Sequence, residues 1–546
     1  MNETIEADGG RLAAEVLRRH DVDTVFTLSG GHLFPLYDGC VKTDIRLVDT
    51  RHEQTATFAA EGWAKVTRRP GVAALTAGPG VTNGVSAMTA AWMNGSPMLV
   101  IGGRAPQMRW GAGSLQELDH VPIVASITKH AATMATPERI VPGIDDALCA
   151  ARSPHRGPAF VDIPLDAWGV ASASLPEARR EAALAGGAPA TDDIAAAARL
   201  LAGAERPVIV VGGDVFWARA EESLRALVET GRLPAFANGM GRGLLPADHE
   251  LSFSRARRAA LEGADLVVVA GTPLDFRLAF GSFGEGVPVV HLCDARDNVS
   301  TNVELAASTA GDLDRTLVEL AEAVAVAPGR SDHDRWLRRL REEEDRLRAG
   351  EEDALAADAS PIRPSRVYGE LRRRLDRDAV VIGDGGDFVS YAGKYVDTYT
   401  PGCFLDPGPY GCLGMGAGYA LAAGLAVPGR QVVALFGDGA IGFSLGDLDT
   451  LVRHDVDVVA IVGNNGIWGL EKHPMQMIFG YDVVADLRPG TRYDEIATAL
   501  GAHGELVTEP DEVGPALDRA FATRGLSLVN VLTDPADAYP RSSNLG

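Results

Sequence analysis

Val432-Val-Ala-Leu-Phe436-Gly437-Asp438-Gly439-Ala440, followed later by Val458-Val-Ala-Ile-Val-Gly463-Asn464-Asn465-Gly466, decides how this chain is read. Each half is a short β-branched run, apolar on both faces, that breaks into a polar glycine turn. Such runs suit parallel strands covered by helices. Both turns then lie at the carboxyl ends of strands, where open α/β sheets bind ligands. Asp438 offers a carboxylate oxygen, Asn465 an amide oxygen and Ile467 a backbone carbonyl. Magnesium prefers this oxygen set, with diphosphate and water completing an octahedron. Gly437, Gly439 and the adjoining Ala440 leave backbone N–H groups open to phosphate. Either turn alone is commonplace. Their pairing is the signal, with Asp438 and Asn465 27 positions apart and each closing a predicted strand.

Outward from that segment the same rhythm recurs. Thr24–Thr27, Val72–Thr76, Met98–Ile101, Val208–Val211 and Leu266–Ala270 alternate with Ala-rich helical stretches, which predicts an α/β fold repeated along the chain. Ala/Gly/Pro-rich sequence at Ala183–Ala190 interrupts it, as does the segment from about Pro328 to Pro364. The expected architecture is three doubly wound parallel-sheet domains, at roughly 1–175, 190–328 and 362–546. The charged run Trp336–Arg348 reads as a solvated surface helix preceding a linker.

The 546 residues carry a net charge of −23, spread along the chain, which argues against nucleic acid or anionic membrane as partners. No apolar stretch is long enough to span a bilayer, and the N-terminal MNETIEADGG has neither the basic nor the apolar region of a signal peptide. The five cysteines are far apart and lack metal-ligand spacing, which suggests reduced thiols in a cytoplasmic protein.

GDG followed at this distance by NN resembles the signature of thiamine-diphosphate-dependent enzymes. The resemblance implies that Asp438 and Asn465, with the Ile467 carbonyl, bind the Mg2+ that anchors the cofactor diphosphate. It also implies an activating glutamate in the first domain. Leu47-Val-Asp-Thr-Arg-His-Glu53-Gln54 is similar to that family's strand–RHEQ–helix segment, so Glu53 is expected to hydrogen-bond the aminopyrimidine N1′. By the same likeness Gly78-Pro-Gly-Val-Thr-Asn83 matches a family loop. Met415 matches a residue that wedges under the cofactor, and Gly385, Asp387 and Phe388 in Gly383-Asp-Gly-Gly-Asp-Phe388 lie against the diphosphate. Met415 is equally readable as plain core, and Glu53 alone as a helix N-terminal acid.

Within the family, Thr27–Leu36 with His32, Gly383–Phe388 and the central segments Gly239–Pro246 and Ala270–Leu278 look like the 2-hydroxyacyl-CoA lyase/oxalyl-CoA decarboxylase branch. The expectation is a lyase that cleaves a 2-hydroxyacyl-CoA to formyl-CoA and an aldehyde or ketone. The alternative is an acetolactate synthase or another 2-oxo-acid decarboxylase or carboligase. For the lyase, Glu471 or His32 is the candidate base and Gln116 lines the reaction cavity. Either base candidate has a structural reading as well, Glu471 pairing with Lys472 or Arg488 and His32 bonding to backbone. The resemblance places ADP, or FAD in a synthase, near Gly212-Gly213, Arg277 and Asp294 of the central domain. It also implies a homodimer or homotetramer whose active site joins the first domain of one subunit to the third of another. The tail from Asp537 reads as a frayed terminus, or by resemblance as a flap over CoA with Arg541 near a phosphate.

Overall fold

The computed structural model describes residues 3–177, 186–328 and 331–539. Part of the expected Ala183–Ala190 break and the tail from residue 540, Arg541 included, lie outside the described residues. Every one of the apolar runs read from the sequence forms a strand, and they assemble into three six-stranded parallel sheets flanked by helices. In spatial order the first sheet contains Arg46–Asp49, Thr24–Thr27, Gly71–Leu75, Met98–Arg104, Pro158–Pro164 and His130–Thr133. The central sheet contains Ser252–Phe253, Ala235–Ala237, Pro207–Val211, Leu266–Ala270, Val289–Cys293 and Ala307–Ala310. The third contains Phe404–Leu405, Val380–Asp384, Val432–Gly437, Val458–Asn464, Leu526–Leu532 and His503–Val507. The inner strands are buried along their length, as burial on both faces requires.

In each sheet the chain winds one way and then the other from an inner strand, and this creates a crevice at the carboxyl ends. The crevices lie between Thr24–Thr27 and Gly71–Leu75, between Pro207–Val211 and Leu266–Ala270, and between Val380–Asp384 and Val432–Gly437. The segments that follow the carboxyl ends of the strands in the three sheets carry nearly all the residues singled out from the sequence.

The first and third sheets share one hydrophobic core, to which Phe58, Met88, Met415, Tyr419 and Phe436 belong. At its centre the helix Glu53–Thr67 lies on the helix Gly416–Ala426. The approach is close enough that a Cβ on Gly418 would sit 2.8 Å from Phe58 Cβ and from the Thr55 carbonyl oxygen. Only glycine allows the two backbones this separation. Lys65 adds a buried polar tie, pairing with Glu61 at 3.0 Å and donating to the Tyr419 hydroxyl at 2.8 Å.

The charged helix differs from its sequence reading. It spans Asp334–Leu355 and buries Trp336, Leu337, Leu340, Glu344, Glu351 and Leu355 along one stripe. Trp336 and Leu340 enter the central core, and the Glu344 carboxylate accepts from the Ser254 and Ala256 amides. The apolar residues recur at helical spacing, so the segment is a docked amphipathic helix despite its charge. Among the described residues no helix is long and apolar enough to cross a membrane.

Candidate functional site

The crevice of the third sheet opens into a cavity of about 470 Å³. Gly385, Asp387, Phe388, Gly437, Asp438, Gly439, Ala440, Asn465, Ile467 and Glu471 all line it. Asp438 begins the short helix Asp438–Ile441 and joins the two turns. Its Oδ1 accepts from the Gly439 amide at 3.0 Å and its Oδ2 from the Gly466 amide at 2.6 Å. Burial pushes its carboxyl up to about 6, against the pull of those N–H groups. No cationic side chain among the described residues pairs with it. A buried carboxylate without a counter-charge, in a cavity with open backbone, suits a divalent cation and an anionic cofactor.

The two adjacent asparagines part company. Asn464 turns into the sheet, where its amide donates to the Thr491 carbonyl and to Asn530 Oδ1. Asn465 faces the cavity, and its Oδ1 accepts from the Ile467 amide at 3.2 Å. The glycines have steric reasons. A Cβ on Gly385 (φ +83°) would lie 2.4 Å from Ala440 Cβ, and one on Gly439 would lie 2.4 Å from the Trp468 ring. Glu471 sits at the exposed first turn of the helix Gly469–Phe479, on the cavity wall. Lys472 beside it is held by Asp482 and Asp486, each at 2.7 Å.

Glu53 and Met415 do not line this cavity. Met415 is fully buried at the start of its helix, where Asp384 accepts from the flanking Gly414 and Gly416 amides at 3.0 and 2.8 Å. Burial raises the Asp384 carboxyl to about 7. Glu53 lies at the first-sheet crevice, 8% exposed, and its Oε2 accepts from Asn83 Nδ2 at 2.9 Å. The loop that carries Asn83 leaves the strand Gly71–Leu75 through Thr76, whose hydroxyl lies 3.2 Å from His32 Nδ1. Burial, with His120 nearby, lowers the His32 imidazole, which favours its neutral form. Gln116 is held with φ +58° against Gly78. The first crevice therefore gathers Glu53, His32 and Gln116, whereas the third gathers the expected cation and diphosphate residues.

In the central domain Arg277 is tied to its neighbour Asp275, Nη2 to Oδ2 at 2.6 Å. It lines a separate cavity of about 830 Å³ that Gly212, Gly213 and Asp294 do not line. Asp294 is buried, its Oδ1 accepts from Asn298 and its Oδ2 has no hydrogen-bond partner among the described residues. Burial and nearby Asp214 raise its carboxyl to about 6. Asn83 and Asp384 lie in segments singled out from the sequence but were given no role of their own there, and His120 was passed over. Each acts through a partner at least 30 positions away, which no local spacing reveals.

Residues 7–123 match the thiamine pyrophosphate enzyme N-terminal TPP binding domain, 194–320 the central domain and 384–531 the C-terminal TPP binding domain. The chain is 55% identical over 542 residues to a protein of Mycobacterium tuberculosis named acetolactate synthase large subunit IlvG, covering 98% of this chain and 97% of that one. A probable acetolactate synthase of Mycobacterium bovis matches equally. The 2-hydroxyacyl-CoA lyase 2 of Homo sapiens is 35% identical over 545 residues, covering 92% of this chain and 86% of that one.

These identities overturn the lyase expectation, since the resemblance to synthases is far higher. The role of Glu471 or His32 as base for a 2-hydroxyacyl-CoA, and the acyl-CoA itself, fall with it. The segments that suggested a lyase misled for a physical reason. Gly385–Phe388 line the third-sheet cavity and His32 packs on Thr76. They belong to crevices that the fold itself forms, and a fold's crevice does not by itself name a substrate.

Proposed function

The chain belongs to the thiamine pyrophosphate enzyme family, and within it we propose that this protein is an acetolactate synthase, joining two molecules of a 2-oxo acid such as pyruvate with loss of CO2. The 55% identity over nearly the full length of both chains carries this reading. When bound, thiamine diphosphate supplies a nucleophilic carbon and an electron sink next to the substrate carbonyl. The chain's own residues do the rest. Asp438, Asn465 and the Ile467 carbonyl hold Mg2+, and the Gly385 and Gly439 turns leave backbone open to the diphosphate. Glu53 holds a proton at the pyrimidine N1′, steadied by Asn83. Gln116 and His32 border the space where the 2-oxo acid reacts.

The cavity walls come from the third domain alone, while Glu53 lies at the other crevice. This supports a homodimer or homotetramer in which Glu53 of one subunit completes the cavity of its partner. The synthase reading also brings a flavin nucleotide to the central domain. The buried Oδ2 of Asp294, without a partner among the described residues, suits a ribose hydroxyl donor.

The test is to supply purified protein with thiamine diphosphate, Mg2+ and either pyruvate or a 2-hydroxyacyl-CoA. Acetolactate from pyruvate is expected. Formyl-CoA from the thioester without acetolactate from pyruvate would refute the proposal, and a protein that copurifies colourless would remove the flavin from it.

A further inference from the structure

Behind the first-sheet crevice lies a buried polar relay. Asp162 and Arg104 stand on the neighbouring strands Pro158–Pro164 and Met98–Arg104, and Arg104 Nη1 donates to Asp162 Oδ2 at 2.9 Å. The same oxygen lies 2.9 Å from His120 Nδ1, and both the histidine and the aspartate are fully buried. On the other side of the ring, the Gly78 amide donates to His120 Nε2 at 2.9 Å. Nε2 therefore accepts, so the ring proton sits on Nδ1 and is donated to Asp162. The carboxylate selects the tautomer.

The bond to Gly78 fixes the start of a short loop. Gly78 follows the end of its strand with φ +60° and ψ −112°, beyond the reach of the sheet ladder, so its buried N–H needs an acceptor from elsewhere. From there the chain turns into the short helix Pro79–Asn83, which borders Glu53. Asn83 donates to Glu53 Oε2, and a Cβ on Gly80 would be 3.6 Å from Glu53 Oε1. Gln116 packs on the other side of Gly78, where a Cβ would meet its own at 3.0 Å. The loop is thus pinned at one end by His120 and at the other holds the carboxylate.

We propose that His120, oriented by Asp162, is a positioning residue that sets the Gly78–Asn83 loop and through it the placement of Glu53. This rests on the proposed role of Glu53 but not on which 2-oxo acid is used, so its failure is distinguishable from failure of the synthase reading. Because the relay is rooted in two strands, it transmits the rigidity of the sheet to a single short helical turn that lies outside the sheet.

Two variants separate an acceptor at this position from mere bulk. His120→Leu fills the space without an acceptor. His120→Gln can accept from Gly78 and donate to Asp162. In cofactor-free protein, amide hydrogen exchange of the peptide spanning 76–84 is expected to rise at least tenfold in His120→Leu and to return within about threefold of the parent in His120→Gln. With thiamine diphosphate and Mg2+ saturating, proton exchange at the reactive cofactor carbon should slow at least tenfold in His120→Leu and recover in His120→Gln. Exchange of the 76–84 peptide unchanged in His120→Leu would overturn the proposal. So would a loosened loop that leaves the cofactor carbon exchanging at the parental rate, or a folded His120→Gln as impaired as His120→Leu. If His120→Leu does not fold, His120→Phe decides. Its ring keeps the shape but offers the Gly78 amide no acceptor, so the same two losses are expected, and their absence would overturn the proposal.

Discussion

The Thr55 hydroxyl donates to Asp447 Oδ2 at 2.6 Å, joining the helix that begins at Glu53 to the third domain. Asp447 also accepts from the Arg51 amide and the Thr450 hydroxyl, each at 2.7 Å, and is 2% exposed. One buried carboxylate thus holds both ends of the turn that presents Glu53.

Replacing Asp447 by alanine leaves those buried donors unpaired, a cost of about 3 kcal/mol. Thermal unfolding of Asp447→Ala is expected to begin several degrees below the parent. An unshifted transition would mean that the shared apolar core docks the domains unaided.

Glu53→Gln keeps the size and the contact with Asn83 but removes the charge. A kcat lower by roughly 10²–10⁴ is expected, since this is the usual contribution of a positioned proton-transfer group. Cofactor affinity, set at the other crevice, should change by less than about tenfold. Calorimetry beside steady-state rates separates the two effects.

Asp438→Ala removes the buried carboxylate on which the cation reading depends. Chelator treatment of the parent should release the cofactor, and Mg2+ should restore binding. In the variant Mg2+ should fail to do so, with affinity weakened by more than about tenfold. Cofactor titration in the presence and absence of Mg2+ measures both.

His155 Nδ1 lies 2.9 Å from Asp214 Oδ1, linking the first domain to the central one. The Asp214 charge raises the imidazole to about 9. A folded-state value above the ordinary 6.5 means that this stabilisation is fully present below about 6.5 and is lost as pH rises through 9. Melting temperatures between pH 6 and pH 10 should fall along that window, and Asp214→Asn should flatten this part of the profile.

Gly418→Ala places a methyl group where 2.8 Å separates it from Phe58 Cβ. The helices must part, at about 1–3 kcal/mol. Reduced stability and a faster-exchanging Glu53–Thr67 helix are expected by hydrogen exchange.

The strands were legible because an inner parallel strand writes itself as a continuous apolar run. Leu266–Ala270 and Val432–Phe436 are such runs, and both are wholly buried. His503–Val507, half-buried at a sheet edge, has no such run. The charged helix Asp334–Leu355 was misread because its apolar stripe is thin and most of its residues are charged. The residues expected to hold the cation could be named because they lie in two turns on adjacent strands, Val432–Gly437 and Val458–Asn464, and those expected at the diphosphate extend to a third turn after Val380–Asp384.

By itself the sequence determined the repeated α/β architecture and the turns that close its strands, because strand burial and glycine turns are properties of a few consecutive residues. Tertiary structure alone decided the role of Asn464, which turns into the sheet to bond Thr491 and Asn530. It alone set His120 against Gly78, 42 positions away, and Asp447 against Thr55, 392 positions away. Those relations come from bringing distant segments together, within one domain for His120 and across two for Asp447, and no local pattern of residues encodes which distant backbone groups will need a partner once water is excluded.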